Sequence, residues 1–384
     1  MKALIAVPAL ALLLSTPTMA EAPPFDTPAT VAFMQDMNTG AILYAKNPDQ
    51  QIPPASLAKM MTVYTVFDMI KRGDVKLDQK ITFQPDAWKQ WHSQGSTMFL
   101  SPGEQVSVAN LLLGIITLSG NDACIDIADG LSGTEAAFVQ RMNENAKKLG
   151  LTGSYFGTAN GWPDNGVTHV TARDMVKLAE ATIRNFPDLY KQFYAKPDFT
   201  WGQTMGGNAI TQANRDPLIG RVPGADGLKT GHTDEAGYSV TGSAIQNGRR
   251  IVMMMGGMTS FSQRIQQSVA FMNWGFHAWQ DKTLAPKGKV IDKAQVQGGD
   301  ATTVGLVAPQ DIAVTIPSGS SPDMQIKVVY QGPIAAPIKA GQHIADIVVT
   351  TPDTGAQTMP LVAAASIGKA GFFRRAWNGL LTLL

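Results

Sequence analysis

The sequence predicts an α+β or α/β sandwich followed by a second, smaller all-β domain. Helical and strand patterns mix up to about residue 281 without a regular strand–helix–strand alternation. From residue 282 onwards, short alternating strands separated by Gly and Pro replace the helices. The chain of 384 residues is also too long for one ordinary domain, and with 44% hydrophobic and 16% charged residues it has a globular composition.

The first 20 residues have the pattern of a signal peptide. Lys2 gives a short basic start, residues 3–14 are almost uninterrupted apolar, and Thr18-Met19-Ala20 supplies the small residues that a signal peptidase reads. The apolar run is well short of the ~20 residues that cross a bilayer. We therefore expect residues 1–20 to be a signal peptide, rather than a spanning or core helix, and the mature protein to be periplasmic.

A hairpin and a long helix open the first domain. Strands at residues 30–34 and 41–44 flank a turn signal at residues 38–40. After the break at Pro53-Pro54, apolar residues at helical spacing predict a helix over 55–72. The later elements predicted in this domain are helices over 108–118, 122–130, 135–149 and 171–185, strands over 238–244 and 250–255, and a helix over 262–279.

Three further segments have distinct compositions. Residues 152–170 are rich in Gly, Asn, Asp and Pro, which predicts a long loop. Residues 282–365 read as a small all-β domain. Residues 366–384 place Phe, Trp and Leu side chains on one half of a helix and two arginines on the other, a pattern typical of a helix lying in an anionic membrane surface. The alternative is a helix docked on its own protein.

Charge, cysteine and histidine content narrow the functional classes. Apart from Lys2, basic and acidic residues balance, so no basic excess indicates nucleic acid. Cys124 is the single cysteine, which excludes an intrachain disulfide, and its apolar surroundings predict a buried, inert thiol. The five histidines lack metal-ligand spacing, and no glycine-rich phosphate loop opens a helix, so we expect neither a metal nor a cofactor.

Ser56 and Lys59 form an S-x-x-K pattern at the start of the first predicted helix, where a spacing of three puts both on one face. A serine hydroxyl is a weak nucleophile unless a base takes its proton. A lysine can be that base only when burial or a nearby cation lowers its pKa. The helix N-terminus also favours negative charge developing at Ser56. Alone, the pattern is weak, because it is far more often a helix cap with a surface lysine.

Two more motifs follow along the chain. Ser119-Gly120-Asn121 lies in a tight loop between two helices, where the serine can relay a proton and the asparagine can bind a substrate amide. Lys229-Thr230-Gly231 precedes the strand near Tyr238; lysine and threonine can hold a carboxylate, and glycine lets a substrate backbone approach closely. Each motif alone is common. Together and in this order they are the signature of penicillin-binding proteins and class A β-lactamases.

The chain resembles the D-alanyl-D-alanine carboxypeptidases of the DacA type, which are low-molecular-mass penicillin-binding proteins. The likeness is carried by residues 54–62, 119–124 and 226–233, by Trp274-Gly275-Phe276, by the β-rich tail and by the terminal amphipathic segment. The resemblance implies the following division of the chain: a signal peptide over 1–20, a β-lactamase/transpeptidase-like catalytic domain over 21–281, a small β-sandwich over 282–365 and a membrane-anchor helix over 366–384.

The resemblance also implies roles for particular residues. Ser56 is expected to be acylated by a terminal D-Ala-D-Ala with Lys59 as its base, while Ser119 and Asn121 support proton transfer and substrate positioning. The remaining expected roles are substrate binding by Lys229, Thr230, Gly231 and Arg264, an oxyanion hole from the backbone N–H groups of Ser56 and His232, and an auxiliary role for His169 in the 152–170 loop. For Arg264 a helix-surface position, and for His169 a purely structural one, stay open.

The expected partners are the pentapeptide of peptidoglycan, β-lactams as covalent inhibitors, and the inner membrane surface through the terminal helix. No partner of the β domain is identified. Three alternatives remain. Class A β-lactamases deacylate with a loop glutamate, whereas the only acid in residues 152–170 is Asp164, although slow penicillin turnover stays open. A DD-endopeptidase uses the same chemistry. A non-catalytic wall-binding scaffold does not need an intact Ser56, Lys59 and Lys229.

Overall fold

The computed structural model describes residues 23–371, which form two domains. The predicted signal peptide, and the predicted membrane helix from residue 372 onwards, lie outside the described residues. Among residues 23–371, no helix combines the length and the apolar character needed to cross a bilayer. The mixed first domain and the all-β second domain confirm the predicted fold class.

The first domain contains nine strands and eight helices. In chain order the strands are β1 (Val31–Asp36), β2 (Ile42–Lys46), β3 (Lys80–Thr82), β4 (Gln105–Ser107), β5 (Asp198–Gln203), β6 (Ala209–Ala213), β7 (Ala225–Thr233), β8 (Gly237–Gln246) and β9 (Arg249–Met258). The helices are α1 (Lys59–Arg72), α2 (Pro85–Trp91), α3 (Val108–Leu113), α4 (Asn121–Ser132), α5 (Glu135–Leu149), α6 (Ala172–Asn185), α7 (Pro187–Phe193) and α8 (Phe261–His277). The helices predicted over 135–149 and 171–185 match closely.

A five-stranded antiparallel sheet in the order β2-β1-β9-β8-β7 divides this domain into layers. Successive side chains of a strand point to opposite faces, and β9 shows the consequence. Its Met254 packs with the helices of the larger core, whereas Met253 and Met255 pack with Phe271 of α8 on the other face. All three methionines are fully buried.

Two irregular helical turns carry the first two motifs. Residues Ala55–Ala58 form a 3₁₀ turn that leads into α1, so the first turn of the helix predicted over 55–72 is tighter than an α-helix. After α3, residues Gly114–Leu118 form a π turn that ends at Ser119, whose backbone is left-handed with φ 66°. Such π turns occur frequently at functional sites.

The third motif lies within a strand that the sequence did not reveal. Lys229, Thr230 and Gly231 precede the strand of Tyr238, as predicted, but they belong to a strand of their own, the edge strand β7, which pairs along β8. β7 was not predicted because its segment contains glycines at 227 and 231 and the polar residues Lys229 and Thr230, so it lacks the alternating apolar pattern that marks a strand.

The second domain contains eight strands, which are β10 (Trp279–Ala285), β11 (Val290–Gln297), β12 (Thr303–Val307), β13 (Ile312–Pro317), β14 (Gln325–Val329), β15 (Ile334–Ala335), β16 (His343–Thr351) and β17 (Gly355–Ala363). β10 pairs with β13, and the other six form a sheet in the order β14-β16-β17-β12-β11-β15. The predicted boundary between 281 and 282 therefore falls inside β10, and the chain changes domain near Ala278.

The end of the second domain also lies later than predicted. Residues 366–371 were expected to begin the amphipathic helix, but they are not helical. Ile367 pairs with Ile338 and is buried in the β core, and Lys369 pairs with Gly299. Burial of the apolar Ile367 side chain holds this segment against the sheet, so the β domain extends to about residue 370.

A buried polar network joins the two domains. Arg249 Nε donates to Asp36 Oδ2 at 2.5 Å and lies 3.2 Å from Asp281 Oδ1, and Thr315 Oγ1 donates to the same Asp281 oxygen at 3.0 Å. Arg249 Nη1 also donates to the carbonyl of Trp279 at 2.9 Å. Burial raises the pKa of Asp281 to about 6, with the charge of Asp36 adding to this and Arg249 opposing it. These contacts hold β10, the first strand of the second domain, against the five-stranded sheet of the first domain.

Candidate active site

Ser56 and Lys59 meet within the turn before α1. Lys59 Nζ lies 2.9 Å from Ser56 Oγ, and the lysine side chain is completely buried. Burial lowers the pKa of Lys59 to about 8; the charge of Asp122 opposes this shift, and the charge of Arg215 adds to it. An amine with such a pKa is available as a base near neutral pH.

The contacts of Lys59 Nζ define where its lone pair points. The nitrogen lies 2.7 Å from Asn121 Oδ1 and 2.5 Å from the carbonyl oxygen of Asn160. Neither oxygen can donate a hydrogen bond. A neutral amine has two hydrogens and one lone pair, so donation to these two oxygens leaves the lone pair for the hydroxyl of Ser56. The arrangement therefore suits proton transfer from Ser56 to Lys59.

The second and third motifs meet through another lysine–serine pair. Lys229 Nζ donates to Ser119 Oγ at 2.9 Å and to the carbonyl of Thr230 at 3.0 Å. Burial lowers the pKa of Lys229 well below its usual value, and the charge of Lys59 lowers it further. The side chains at 56, 59, 119, 121 and 229 thus form one neighbouring group, and the region that they share is here called the active-site cleft.

Asn121 orients Lys59 and anchors the neighbouring loop. Its backbone N–H donates to the carbonyl of Ser96 at 2.7 Å, and its Nδ2 donates to the carbonyl of Gln94 at 2.9 Å. With Oδ1 accepting from Lys59, both ends of the amide contact the protein. The sequence analysis expected the Asn121 side chain to bind a substrate amide. In the structure, its oxygen contacts Lys59 and thereby positions the base.

Asp122, which sequence reasoning did not select, holds the same loop. Its carboxylate accepts the backbone N–H groups of Met98 at 2.8 Å and Leu100 at 3.2 Å. Phe99, between them, is left-handed with φ 62° and half exposed. Burial raises the pKa of Asp122, although these hydrogen bonds oppose the shift. Its position directly after Asn121 was the available signal, but its partners lie more than 20 residues away in sequence.

Gly231 allows two pieces of backbone to approach. A Cβ at this position would lie 2.6 Å from the carbonyl oxygen of Pro54 and 3.2 Å from Leu57 Cγ. The absent side chain therefore lets β7 pack directly on the turn that carries Ser56. The sequence analysis expected Gly231 to let a substrate backbone approach closely. In the structure, the backbone that approaches Gly231 is the protein's own, at Pro54. Beside this turn lies a small, open surface depression, lined by Ala55 and Thr233 among others.

Arg264 reaches the same strand from α8. It is buried, not on the helix surface, and its Nη1 donates to the carbonyl of Gly231 at 3.4 Å. The guanidinium lies over the rings of Tyr238 and Phe261, at 5.5 Å and 5.1 Å from their centroids. Burial lowers the pKa of Arg264 to about 10. Its Nε is buried with no hydrogen-bond partner among the described residues.

The two histidines occupy different places. His232 follows Gly231 in β7, and its exposed ring stacks on Tyr238 with centroids 3.8 Å apart. The contacts of His169 lie within its own loop. Its Nδ1 contacts the carbonyl of Val167 at 2.9 Å, and its ring stacks with Tyr155 at 6.3 Å. Its contacts fit the structural alternative.

Arg215 is a cation that sequence reasoning missed. It donates from Nη1 to the hydroxyl of Ser96. Its charge lowers the pKa values of Lys59, Lys229 and Arg264, so it contributes to the same positive field. The loop between β6 and β7 has no periodic pattern, and only the folded chain shows which side of the molecule this arginine faces. A cluster of four cations favours an anionic ligand.

Cys124 follows the second motif but takes no part in the cluster of hydrogen bonds. It is fully buried in the large core, and burial raises the pKa of its thiol to about 12. The prediction of a buried cysteine is confirmed. Within residues 23–371, no group of three or more histidine, cysteine or acidic side chains is arranged to hold a metal ion.

Comparison with known families covers both domains. The profile of the D-alanyl-D-alanine carboxypeptidase family matches residues 17–259, and that of the C-terminal domain of penicillin-binding protein 5 matches residues 279–369. The D-alanyl-D-alanine carboxypeptidase DacA of Haemophilus influenzae is 35% identical over 362 residues, which span 94% of this chain and 90% of the relative. DacC of Escherichia coli is 35% identical over 363 residues, covering 93% and 88%.

Solved structures agree with the sequence relatives. Penicillin-binding protein 5 from Haemophilus influenzae superposes with a TM-score of 0.78 at 33% identity, covering 90% of this chain and 99% of that one. Penicillin-binding protein D2 from Listeria monocytogenes, in its cefotaxime-bound form, has a TM-score of 0.56 at 29% identity and covers 66% of this chain and 99% of its own. The chain therefore belongs to the D-alanyl-D-alanine carboxypeptidase family of serine peptidases.

Proposed function

We propose that the enzyme removes the terminal D-alanine from peptidoglycan stem peptides through an acyl-enzyme on Ser56. The observation that carries this proposal is the set of contacts around Lys59, which leaves its lone pair for the Ser56 hydroxyl 2.9 Å away. A serine with an adjacent base that is itself oriented by a third group is the arrangement of an activated nucleophile.

Acylation begins when Ser56 Oγ attacks the carbonyl carbon of the penultimate D-alanine and its proton passes to Lys59. The bond between this carbon and the terminal nitrogen then breaks, and D-alanine leaves with a proton supplied through the Ser119 hydroxyl. Ser119 is suited to this step because Lys229 Nζ lies 2.9 Å from its oxygen. The developing oxyanion is assigned to the backbone N–H groups of Ser56 and His232, as the resemblance implies.

The C-terminal carboxylate of the substrate is assigned to the cations of β7 and its surroundings. Lys229 and Thr230 lie in β7, and Arg264 contacts the same strand at the carbonyl of Gly231. Arg215 adds its positive charge, so a peptide end can be held along this strand. A guanidinium grips a carboxylate with two parallel hydrogen bonds. The unpartnered Nε of Arg264 is a donor that such a ligand can satisfy. A bound carboxylate also offsets part of the electrostatic repulsion between these positively charged side chains.

β-Lactams are proposed as covalent inhibitors of the same site. They carry a carboxylate and a reactive amide, the two groups that the cations and Ser56 recognise. The cefotaxime-bound structure of the related Listeria protein supports this assignment. Deacylation of the enzyme by water completes the turnover of a peptide, and the missing loop glutamate supports slow release of a bound penicillin.

The reaction is tested by product analysis with a pentapeptide ending in D-Ala-D-Ala. The unmodified enzyme should release one equivalent of D-alanine, and Ser56→Ala should release none. A crosslinked dimer tested in parallel reports DD-endopeptidase activity. A folded, unmodified protein that neither releases D-alanine nor forms an adduct with labelled penicillin supports the scaffold alternative and contradicts the proposal.

We also propose that the mature enzyme is periplasmic and held at the inner membrane surface by its last residues. The signal-peptide pattern of residues 1–20 and the basic amphipathic pattern near the C-terminus support this. Because Ile367 and Lys369 belong to the β domain, the informative deletion removes residues 372–384 only. The shortened protein should leave the membrane fraction and keep its activity on a small peptide; retention in that fraction contradicts the anchor.

A further inference from the structure

Ala159, the residue before the carbonyl that contacts Lys59, is held at both of its polar backbone groups. Glu135 Oε1 accepts the backbone N–H of Ala159 at 2.9 Å, and Thr62 Oγ1 donates to the carbonyl of Ala159 at 2.5 Å. The next carbonyl along the chain, that of Asn160, accepts from Lys59 Nζ at 2.5 Å. Two side chains outside the reaction therefore fix both polar groups of the residue that precedes this acceptor.

These two side chains come from separate elements. Glu135 begins α5, and Thr62 lies one turn after Lys59 in α1, so each is fixed by a helix of the large core. The loop segment is also pressed against the turn of Ser56, because a Cβ at Gly161 would lie 1.9 Å from the carbonyl oxygen of Ala55. Ala159 itself is fully buried.

We propose that Glu135 and Thr62 are positioning residues for acylation, which fix the Asn160 carbonyl as an acceptor for Lys59 so that the lone pair of the amine faces Ser56 Oγ. The inference rests on the proposed role of Lys59 as base. An amine rotates freely about its Cε–Nζ bond unless its hydrogens are engaged. One acceptor, Asn121, restricts that rotation only in part, and the second completes the orientation.

The inference separates chemistry from binding. Neither Glu135 nor Thr62 contacts Lys229 or Arg264, which are assigned to the substrate carboxylate. Loosening the Asn160 carbonyl should therefore lower the limiting rate of acylation and leave the half-saturating concentration unchanged. A loss of folding alone would instead lower the number of sites that a penicillin can label, without changing the rate at each labelled site.

The first test compares Glu135→Ala with Glu135→Gln in stopped-flow acylation by a fluorescent penicillin, with active sites counted by stoichiometric labelling. The glutamine oxygen can accept the same N–H, so Glu135→Gln should acylate like the unmodified enzyme. Glu135→Ala should be slower by about 10- to 100-fold, the scale expected when a reacting group is misplaced. Glu144→Ala, on the exposed face of the same helix, is the matched control and should be unchanged.

A second pair of variants tests the hydrogen bond from Thr62 to the carbonyl of Ala159. Thr62→Ser keeps the hydroxyl and should retain the rate, whereas Thr62→Val should lose it without a change in half-saturation. The inference is overturned if Glu135→Ala acylates at the unmodified rate per labelled site, or if Glu135→Gln is as slow as Glu135→Ala. An unmodified protein that is not acylated at all overturns the proposed function instead, and that outcome is seen before any variant is made.

Discussion

Lys229 Nζ lies 2.9 Å from Ser119 Oγ although 110 residues separate the two in sequence. With the pair formed by Lys59 and Ser56, the active-site cleft contains two contacts between a buried lysine and a serine. The charge of Lys59 lowers the pKa of Lys229, so the two amines are electrostatically linked. Each lysine has a hydroxyl partner and no carboxylate partner, which keeps one available as a base and the other available to an incoming anion.

The rate of acylation should rise with pH through the pKa of Lys59, which burial lowers to about 8. Below this pH the ammonium has no lone pair to accept the Ser56 proton, and above it the amine is free to do so. A chromogenic β-lactam followed across this range measures the profile. Lys59→Arg stays protonated throughout and should be inactive at every pH. A flat profile, or an active arginine variant, contradicts the assignment of Lys59 as base.

Gly231→Ala should lower acylation by about 100-fold, because a displacement near 1 Å at the reacting groups has this effect. The new Cβ would meet the carbonyl of Pro54 at 2.6 Å and push β7 away from the turn of Ser56. Penicillin acylation rates measure the change. Gly206→Ala, whose Cβ meets nothing closer than 3.8 Å, is the control. Normal activity in the first variant contradicts the close-packing argument.

Arg249→Met should lower the free energy of unfolding by about 3–5 kcal/mol, because it leaves buried carboxylates without their cation. Asp36 is affected most, since it is completely buried and bonded to Arg249 Nε at 2.5 Å. Urea unfolding at neutral pH measures the loss. Arg221→Met, on an exposed arginine that donates to the carbonyl of Pro217, should change stability little. Equal stability of the two variants contradicts a structural role for the network.

Asp281 should give the domain junction a pH dependence. Its pKa is about 6 in the fold against an ordinary value of 3.8, so between these values the folded protein binds more protons than the unfolded chain. The contribution of this group to stability should therefore fall as pH rises through that window. Unfolding of the unmodified protein and of Asp281→Asn, compared at several pH values, isolates the contribution. A difference between the two that does not vary with pH counts against it.

Cys124 should not react with a disulfide reagent in the folded enzyme. Its thiol is fully buried and its pKa is raised to about 12 by burial, so almost no thiolate forms near pH 8. After denaturation in urea, one thiol per chain should react. Rapid labelling of the native protein, with loss of activity, would show that the cysteine is accessible from the cleft.

Elements with a clear period were predictable from the sequence. The helix over 135–149 was recognisable because a Thr cap, a regular apolar face and a closing Gly150 agree with one another. The contact between Ser56 and Lys59 was also predictable, since it depends on three residues of local spacing. Such features depend on interactions between residues that are close in sequence, so they can be predicted without knowledge of the tertiary fold.

Features that depend on distant segments were not predictable. β7 has no alternating pattern, so its place beside the Ser56 turn is visible only when Gly231 meets Pro54. Arg215 and Glu135 act on Lys59 through space and through Ala159, respectively, and neither belongs to a recognisable motif. His169 was selected because it lies in the right loop, but a loop position does not determine which way a side chain faces.

The contacts of Arg249 also determine how the enzyme meets a layered substrate. The Arg249 guanidinium contacts one carboxylate in each domain and the carbonyl of Trp279, where the chain passes from the first domain to the second. The β domain is therefore held to the peptidase domain by side-chain contacts and not by a flexible linker alone. A peptidase on a flexible linker would reach a large volume, whereas one held by the β domain keeps a fixed distance and orientation to whatever that domain is attached to. With the C-terminal segment at the membrane surface, as proposed above, the enzyme would reach only stem peptides at one distance from the membrane.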